Sequence, residues 1–438
     1  MRLIMKRALI ISYYWPPSGG SGVQRWVKFA KYLPGQGWQP VIYTPENPEL
    51  TTVDHTLEEE IPAEAEIIKT RIIEPYGLYR KIFGGGRKAS EGEVNPINGQ
   101  KKSFRQKVSM FIRGNLFIPD PRCLWISPSA KYLVKYLKEH PVDIIISTGP
   151  PHSMHLIAEK VARRTGIPWI ADFRDPWTRM FYFKHLGLSK WAEDRHRYLE
   201  KTVLDNADTV VAVSPLVQEE FQAMTATPVE LVTNGYDEED FDQTVEPDGY
   251  FNITHTGLFA SDGNPETLWK VLADKCRSDS AFAGMLRIRL AGKTDKEITV
   301  SIEKAGLAAN LRDVGYVDHQ KAVREQKSAS LLILPLRKEP EYRATLPGKL
   351  FEYLASGRPV LGIGQTDGAM ARIISTTRAG AVFNWDDETS IKKYIDLCWE
   401  HFNSGTLQAD TENIGQYSRR ALTSRMAALM DSIITKKK

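Results

Sequence analysis

Short runs of Val, Ile, Leu and Ala that do not alternate with polar residues constrain this chain more than any other feature. They fall at Ala8–Tyr13, Val41–Tyr43, Glu66–Lys69, Asp143–Thr148, Trp169–Phe173 and Thr209–Val213, with helical spacing between them. A strand that is apolar on both sides is buried on both faces. Alternation of such strands with helices predicts parallel sheets joined by helical crossovers. The rhythm breaks at NGYDEEDFDQTVEPDGY (Asn234 to Tyr250), then restarts with Asn252–His255, Arg287–Ala291, Leu331–Pro335 and Val360–Gly364. A chain of 438 residues is too long for one core. The expected fold is therefore α/β, with two Rossmann-like domains, residues 1–240 and 241–412, whose parallel sheets face a central cleft. Residues Ile414 to Ile434 form an amphipathic helix with no strand after it. The segment 413–438 is expected to pack back on the N-terminal domain.

Several function classes fall away at once. Cys123, Cys276 and Cys398 lie far apart and make neither a CxxC motif nor an even framework, which fits a reducing cytoplasm. The opening MRLIMKRALIISYYW runs directly into a strand and lacks a small-residue cleavage site. No apolar run approaches the ~20 residues of a membrane helix. Net charge is only +4, and the positive charge is local and lacks interleaved aromatics on a recognisable module, which argues against nucleic acid as a partner. The charge is uneven, however. From Lys69 to Arg113 the cations are opposed only by Glu74, Glu91 and Glu93. The expected insertion, about residues 76–118, has a Gly-, Lys- and Glu-rich part (Phe83 to Gln100). It continues into KKSFRQKVSMFIRGNLF, where Lys101 to Arg113 adjoin Phe111, Ile112, Leu116 and Phe117. That pattern suits an anionic membrane surface, and equally a solvated loop with a helix packed on the domain.

Candidate ligand-binding stretches follow strands. SYYWPPSGGSGVQRW places Gly19, Gly20 and Gly22 between a strand and a helix expected to begin near Val23. Such a loop lets backbone approach an anionic oxygen, although a plain strand-to-helix turn reads the same way. A dinucleotide fingerprint would need glycine at position 25, where Arg25 stands. AGKT at Ala291–Thr294 lacks the earlier glycine of a P-loop, because position 287 is Arg. His152 and His155 form an HxxH without a nearby carboxylate. No DxD pair follows a strand, so neither a bound metal nor another cofactor is expected.

The most specific stretch is LPGKLFEYLASGRPVLGIG, Leu346 to Gly364. Leu350, Phe351, Tyr353, Leu354 and Ala355 make a nearly all-apolar helix, yet Lys349, Glu352 and Ser356 form one polar stripe on it. Thr345, Leu346, Pro347 and Gly348 read as a turn, so the helix starts at about Lys349. Its unpaired N–H groups and the Lys349 ammonium together favour an anion. Glu352, one turn on, can accept two hydrogen bonds from a vicinal diol. Diphosphate at the helix start and ribose one turn later is the geometry of a bound nucleoside diphosphate. A Lys349–Glu352 surface pair is the plainer alternative.

Taken together, LPGKLFEYLASGRPVLGIG, ISTGPPHSMHLIA, WIADFRDPW, TNGYDEEDF and the Gly-rich first loop resemble bacterial family-4 glycosyltransferases. These are retaining, metal-independent enzymes of the GT-B fold, many of which build surface polysaccharides. The resemblance spans nearly the whole chain. It implies a nucleotide-sugar donor held by the C-terminal domain and a glycan or lipid-diphosphate-linked acceptor held by the N-terminal one. Gly19, Gly20 and Gly22 match the loop near the donor phosphate, Lys349 the donor-phosphate cation and Glu352 the ribose-binding glutamate. The family's earlier glutamate is Ala344 here, with Glu341 or Arg343 as substitutes, and Thr345 and Gly348 complete the turn. The cation common near the first C-terminal strand is missing from HTGLFASDGNPETLW, where Gly263 stands in its place; Arg337 or Arg343 could supply the charge. The histidine that many relatives carry after the strand matching Trp169–Phe173 is Arg174.

Those departures turn attention to ADFRDPW. Asp172, Arg174 and Asp175 follow a buried strand, at the carboxyl end where open α/β sheets bind ligands. Arg174 could stabilise the developing diphosphate charge, and Asp172, Asp175 and His152 could meet the sugar or the acceptor. An Arg–Asp network locking the loop, and a satisfied loop histidine, are the structural alternatives. The expected reaction is attack by an acceptor hydroxyl on the anomeric carbon from the face of the leaving diphosphate, whose oxygen takes the proton. It would run in the cytoplasm or at the inner membrane face. A sugar-nucleotide 2-epimerase and a non-catalytic nucleotide-sugar-binding subunit are the alternative readings of the same plan.

Overall fold

The computed structural model describes residues 5–50, 53–74, 111 and 114–436. It divides into two compact units: Met1–Thr233 with Leu422–Lys438, and Asn234–Ala421. The break thus falls before the expected position near 240, and the reason is local. Tyr236 N donates to Tyr417 O (3.1 Å), Arg419 N donates to Tyr236 O (2.8 Å), and His319 Nε2 meets Asp240 Oδ2 (3.1 Å), all within the second unit.

The first unit is built on β1 (Lys6–Ile11), β2 (Trp38–Pro45), β3 (Glu66–Thr70), β4 (Ile144–Gly149), β5 (Trp169–Phe173), β6 (Thr209–Ala212) and β7 (Val229–Leu231). All run parallel, in the order β3-β2-β1-β4-β5-β6-β7, with Ile10 opposite Ile42 on one side and Ile146 on the other. Chain direction across the sheet reverses between β1 and β4, so their carboxyl ends flank the crevice where doubly wound sheets bind ligands. The non-alternating runs are buried as expected: every residue of β4, β5 and β6 is buried. The core joins Ile10, Ile42, Ile146 and Ile170 with Trp26 and Trp38. Leu422, Met426, Met430 and Ile433 of the final helix, Arg419–Lys436, complete it. A 3-10 turn, Ile414–Tyr417, precedes that helix.

The second unit repeats the plan with β8 (Phe251–Thr256), β9 (Leu286–Ala291), β10 (Leu311–Gly315), β11 (Leu331–Pro335), β12 (Val360–Ile363) and β13 (Gly380–Phe383). The order is β10-β9-β8-β11-β12-β13, all parallel, with the reversal between β8 and β11. Strands β7, β10 and β13 were not expected. Each lies at a sheet edge and is half-exposed, so none carries a continuous apolar run.

Most of the expected basic insertion, residues 75–110 and 112–113, lies outside the described residues, and so does Lys101 to Arg113 apart from Phe111. Phe111 and Leu116 are exposed. Among the described residues no helix is long and apolar enough to cross a membrane.

Candidate functional site

In the first unit three loops meet at the carboxyl ends of β1, β4 and β5. The helix Ser21–Tyr32 starts without a side-chain cap, behind the exposed Gly20; Gly19 is half-buried. Arg174, just past β5, anchors the three loops to one another. Its guanidinium donates to Gly22 O and Pro150 O, and Nε lies 3.4 Å from Gly149 O. Its carbon sits 5.7 Å from the Tyr14 ring centroid. A Cβ on residue 22 would lie 2.9 Å from Arg174 Nη1, so glycine is what lets the guanidinium seat against the loop. Among the described residues no carboxylate is in ion-pair contact with Arg174, although the charges of Asp175 and Asp172 act on it. The half-buried Asp175 is nearby; burial pushes its carboxyl up to about 6, with the Arg174 charge opposing.

Asp172 does not belong to this set. Its carboxylate is fully buried and accepts from Arg25 Nη2 (2.8 Å), Arg25 Nε (3.1 Å), Trp26 Nε1 (2.8 Å) and Thr148 Oγ1 (2.9 Å). Burial alone would raise its pKa; the Arg25 charge and these hydrogen bonds outweigh that and hold it below the ordinary carboxylate value. The sequence expectation of a catalytic or acceptor-binding Asp172 is thereby corrected: the residue ties β5 to the first helix. Arg25, which replaces the fingerprint glycine, also donates to Val232 O and Thr233 O and is a core residue.

His152 is 6% exposed, and neither ring nitrogen has a hydrogen-bond partner among the described residues. It stacks on Trp177 with centroids 4.5 Å apart. Burial, then the neighbouring His155, His196 and Arg174, keep it neutral. The loop beneath is pinned by Glu200, which accepts from Trp177 N (3.0 Å) and Thr178 N (3.2 Å).

In the second unit the polar stripe of the helix Gly348–Ser356 is spoken for residue by residue. Lys349 Nζ lies 3.1 Å from His255 Nε2 and 3.1 Å from Leu258 O, at the end of β8. Burial pushes the ammonium down to about 8, against the Glu352 charge. Glu352 Oε2 accepts from Gln326 Nε2 (2.7 Å), whose other contact is Thr256 Oγ1 (3.1 Å). Thr256 N donates to the Tyr353 hydroxyl (3.0 Å). Ser356 Oγ turns back onto Tyr353 O (2.7 Å). Lys349 and Glu352 therefore do not form the surface pair that the spacing allowed.

The other expected donor contacts separate. Arg337 Nε is 3.0 Å from Asp262 Oδ1, beside Gly263, and so brings a cation next to the position where the sequence lacks one. Arg343 instead makes an exposed pair with Asp367 (2.9 Å), the kind that contributes little. Glu341 lies half-buried in the 3-10 turn Pro340–Ala344; Thr345 N donates to Tyr342 O (3.0 Å), and Gly348 opens the helix exposed. Lys349 and Glu352, from the helix after β11, thus sit against β8, at the reversal of the sheet. His255, Thr256 and Gln326 were not anticipated, because each looks like an ordinary residue of a strand or helix. Among the described residues no three His, Cys, Asp or Glu side chains are grouped as a metal site would need.

Residues 99–240 match the model for Glycosyltransferase Family 4, and residues 251–401 that for Glycosyl transferases group 1. No curated protein sequence matches the chain. Among solved structures it is similar to sucrose-phosphate synthase from Thermosynechococcus elongatus, with 14% identity and TM-score 0.62, covering 98% of this chain and 100% of that one. A glycosyltransferase from Rickettsia africae gives 14% identity and TM-score 0.64, covering 98% and 99%. A putative UDP-N-acetylglucosamine 2-epimerase from Listeria monocytogenes gives 11% identity and TM-score 0.55, covering 99% and 98%. These likenesses establish the GT-B fold, which transferases and the epimerase share, so the two family matches decide between them. With one glycosyltransferase model on each sheet of a GT-B fold, the chain is a glycosyltransferase.

Proposed function

We propose that this glycosyltransferase takes its sugar from a nucleoside-diphosphate sugar and transfers it, with retention at the anomeric carbon, to a hydroxyl of a glycan or lipid-diphosphate-linked acceptor. The observation that carries the reading is the pairing on one helix of an anchored ammonium, Lys349, with a carboxylate one turn on, Glu352. Lys349 and the free N–H groups of the helix start meet the diphosphate. Glu352 keeps Oε1 available for the ribose, since Gln326 occupies Oε2. Arg337 takes the part of the cation missing near β8. In the first unit, Arg174, His152 and Asp175 meet the acceptor. The leaving phosphate oxygen accepts the acceptor's proton, so the chain need not supply a nucleophile, and no metal is required. A role in cell-surface polysaccharide synthesis, in the cytoplasm or at its membrane face, completes the proposal.

The test is a thermal-shift screen of the full chain and Glu352→Ala with UDP, GDP, ADP, dTDP and CMP. A nucleotide at ~100 times its dissociation constant adds ~2.7 kcal/mol of stability. A response to one nucleotide, lost in the variant, supports the reading and fixes the base. Silence from all five refutes it. Incubation with the matching nucleotide sugar and chelator should then release or transfer sugar; conversion to an epimeric nucleotide sugar would overturn the transferase assignment.

A further inference from the structure

Lys349 is held in place by a histidine that no motif marks. His255 is the fifth residue of β8 and 2% exposed. Its Nδ1 lies 3.0 Å from Ile333 O on the neighbouring strand β11. Its Nε2 lies 3.2 Å from Leu258 O as well as 3.1 Å from Lys349 Nζ. A carbonyl oxygen can only accept and an ammonium can only donate, so Nε2 takes the ammonium N–H, Nδ1 carries the proton to Ile333 O, and the imidazole is the neutral Nδ1–H form. The lone pair is then on Nε2, which faces the Lys349 ammonium at 3.1 Å. An imidazolium would set a second positive charge against that ammonium. Burial, reinforced by the Lys349 charge, holds His255 down to about 3. Leu258 O receives a second N–H of the ammonium at 3.1 Å. A lysine ammonium has three N–H donors, so one remains. Gly257, at φ +83°, shapes the same corner: a Cβ there would lie 3.3 Å from Lys349 Nζ. Two fixed acceptors on a rigid strand end thus set the direction of the third N–H.

We propose that His255 is a positioning residue for donor binding: its Nε2 aims the Lys349 ammonium at the diphosphate. The inference rests on the reading of Lys349 as the donor-phosphate cation. Sugar transfer itself stays as described, and His255 touches no reacting atom.

The experiment measures affinity for the responding nucleoside diphosphate, and transfer kinetics, in the full chain and in Lys349→Met, His255→Leu, His255→Gln and the Lys349→Met/His255→Leu double variant. Outer partners of metal ligands are typically worth about 10- to 100-fold in affinity, and the same scale serves for the partner of a binding ammonium. His255→Leu should lower nucleoside diphosphate affinity by that order. His255→Gln, whose amide oxygen can replace Nε2 as acceptor, should restore most of it. The double variant should bind no worse than Lys349→Met, since His255 acts only through that ammonium. In His255→Leu the pH above which affinity falls should move down, because the charged ammonium has lost one acceptor. Glu352 remains as the anion beside it. Full affinity in a folded His255→Leu, or additive losses in the double variant, would overturn the inference. If His255→Leu does not fold, His255→Gln decides: near-full affinity supports the proposal, and a loss as large as that of Lys349→Met refutes it. Unchanged affinity in Lys349→Met would instead remove the reading beneath it, whatever His255 does.

Discussion

Replacing Asp172 with alanine distinguishes an architectural carboxylate from a reactive one. The change removes the acceptor shared by Arg25, Trp26 and Thr148 inside the first unit, where the Arg25 and Asp172 side chains are 1% and 0% exposed. Removing one partner of a buried pair costs about 3–5 kcal/mol, since the remaining charge stays buried. The orphaned Trp26 and Thr148 donors add about 1–3 kcal/mol each, less than additively. Native stability is about 5–15 kcal/mol, so the variant should be close to unfolding at 37 °C. At about 2–4 °C per kcal/mol for a unit of this size, its Tm should fall by at least about 6 °C. Urea unfolding followed by tryptophan fluorescence is the assay. The acid side adds a sign. Because Asp172 is held below its unfolded value, its contribution is complete above about pH 4 and disappears as pH falls through the lowered value. The alanine variant should therefore lose less stability than wild type between pH 5 and pH 2. Arg25→Met with Asp172→Leu should recover the part of the loss due to the unpaired charge, as apolar replacement of a buried pair often does, while Trp26 and Thr148 stay without their acceptor. An Asp172→Ala protein with wild-type unfolding and abolished transfer would refute this account and return the carboxylate to the reacting centre.

Other outcomes follow from the same geometry. Nucleoside diphosphate affinity should decline as pH rises through about 8, where Lys349 loses its charge, and a calorimetric profile flat from pH 7 to pH 9.5 would contradict its role. Gln326→Leu frees Glu352 Oε2 and should weaken nucleoside diphosphate binding about tenfold while sparing inorganic pyrophosphate; equal loss for both ligands would show that Gln326 serves the fold alone. Gly22→Ala puts a Cβ 2.9 Å from Arg174 Nη1 and should lower transfer about tenfold with nucleotide affinity intact, which steady-state kinetics and calorimetry check together.

The two-sheet plan was legible because central parallel strands must be largely apolar on both faces, as LLILP of β11 is. Edge strands obey no such rule, and β7, β10 and β13 passed unread. The stripe of Lys349 and Glu352 was visible because polar residues on a buried helix need partners. The partners themselves were not visible. His255 lies 94 positions before Lys349, inside the strand FNITHT, and Gln326 lies on a helix that is mostly polar. Asp172 misled for a related reason: a carboxylate at a strand end looks the same whether it faces a ligand or an arginine 147 residues away.

The final helix has a temporal consequence. Leu422, Met426, Met430 and Ile433 belong to the core of a unit whose other residues end at Thr233. During synthesis all of residues 234–421 must be made first. At about 5–20 residues per second, the ribosome holds the first unit unfinished for some tens of seconds. Over that interval the core of the first unit lacks the side chains of Leu422, Met426, Met430 and Ile433. A chain that stops before Leu422 lacks four side chains of that core for good, so its first unit never reaches the packing described above.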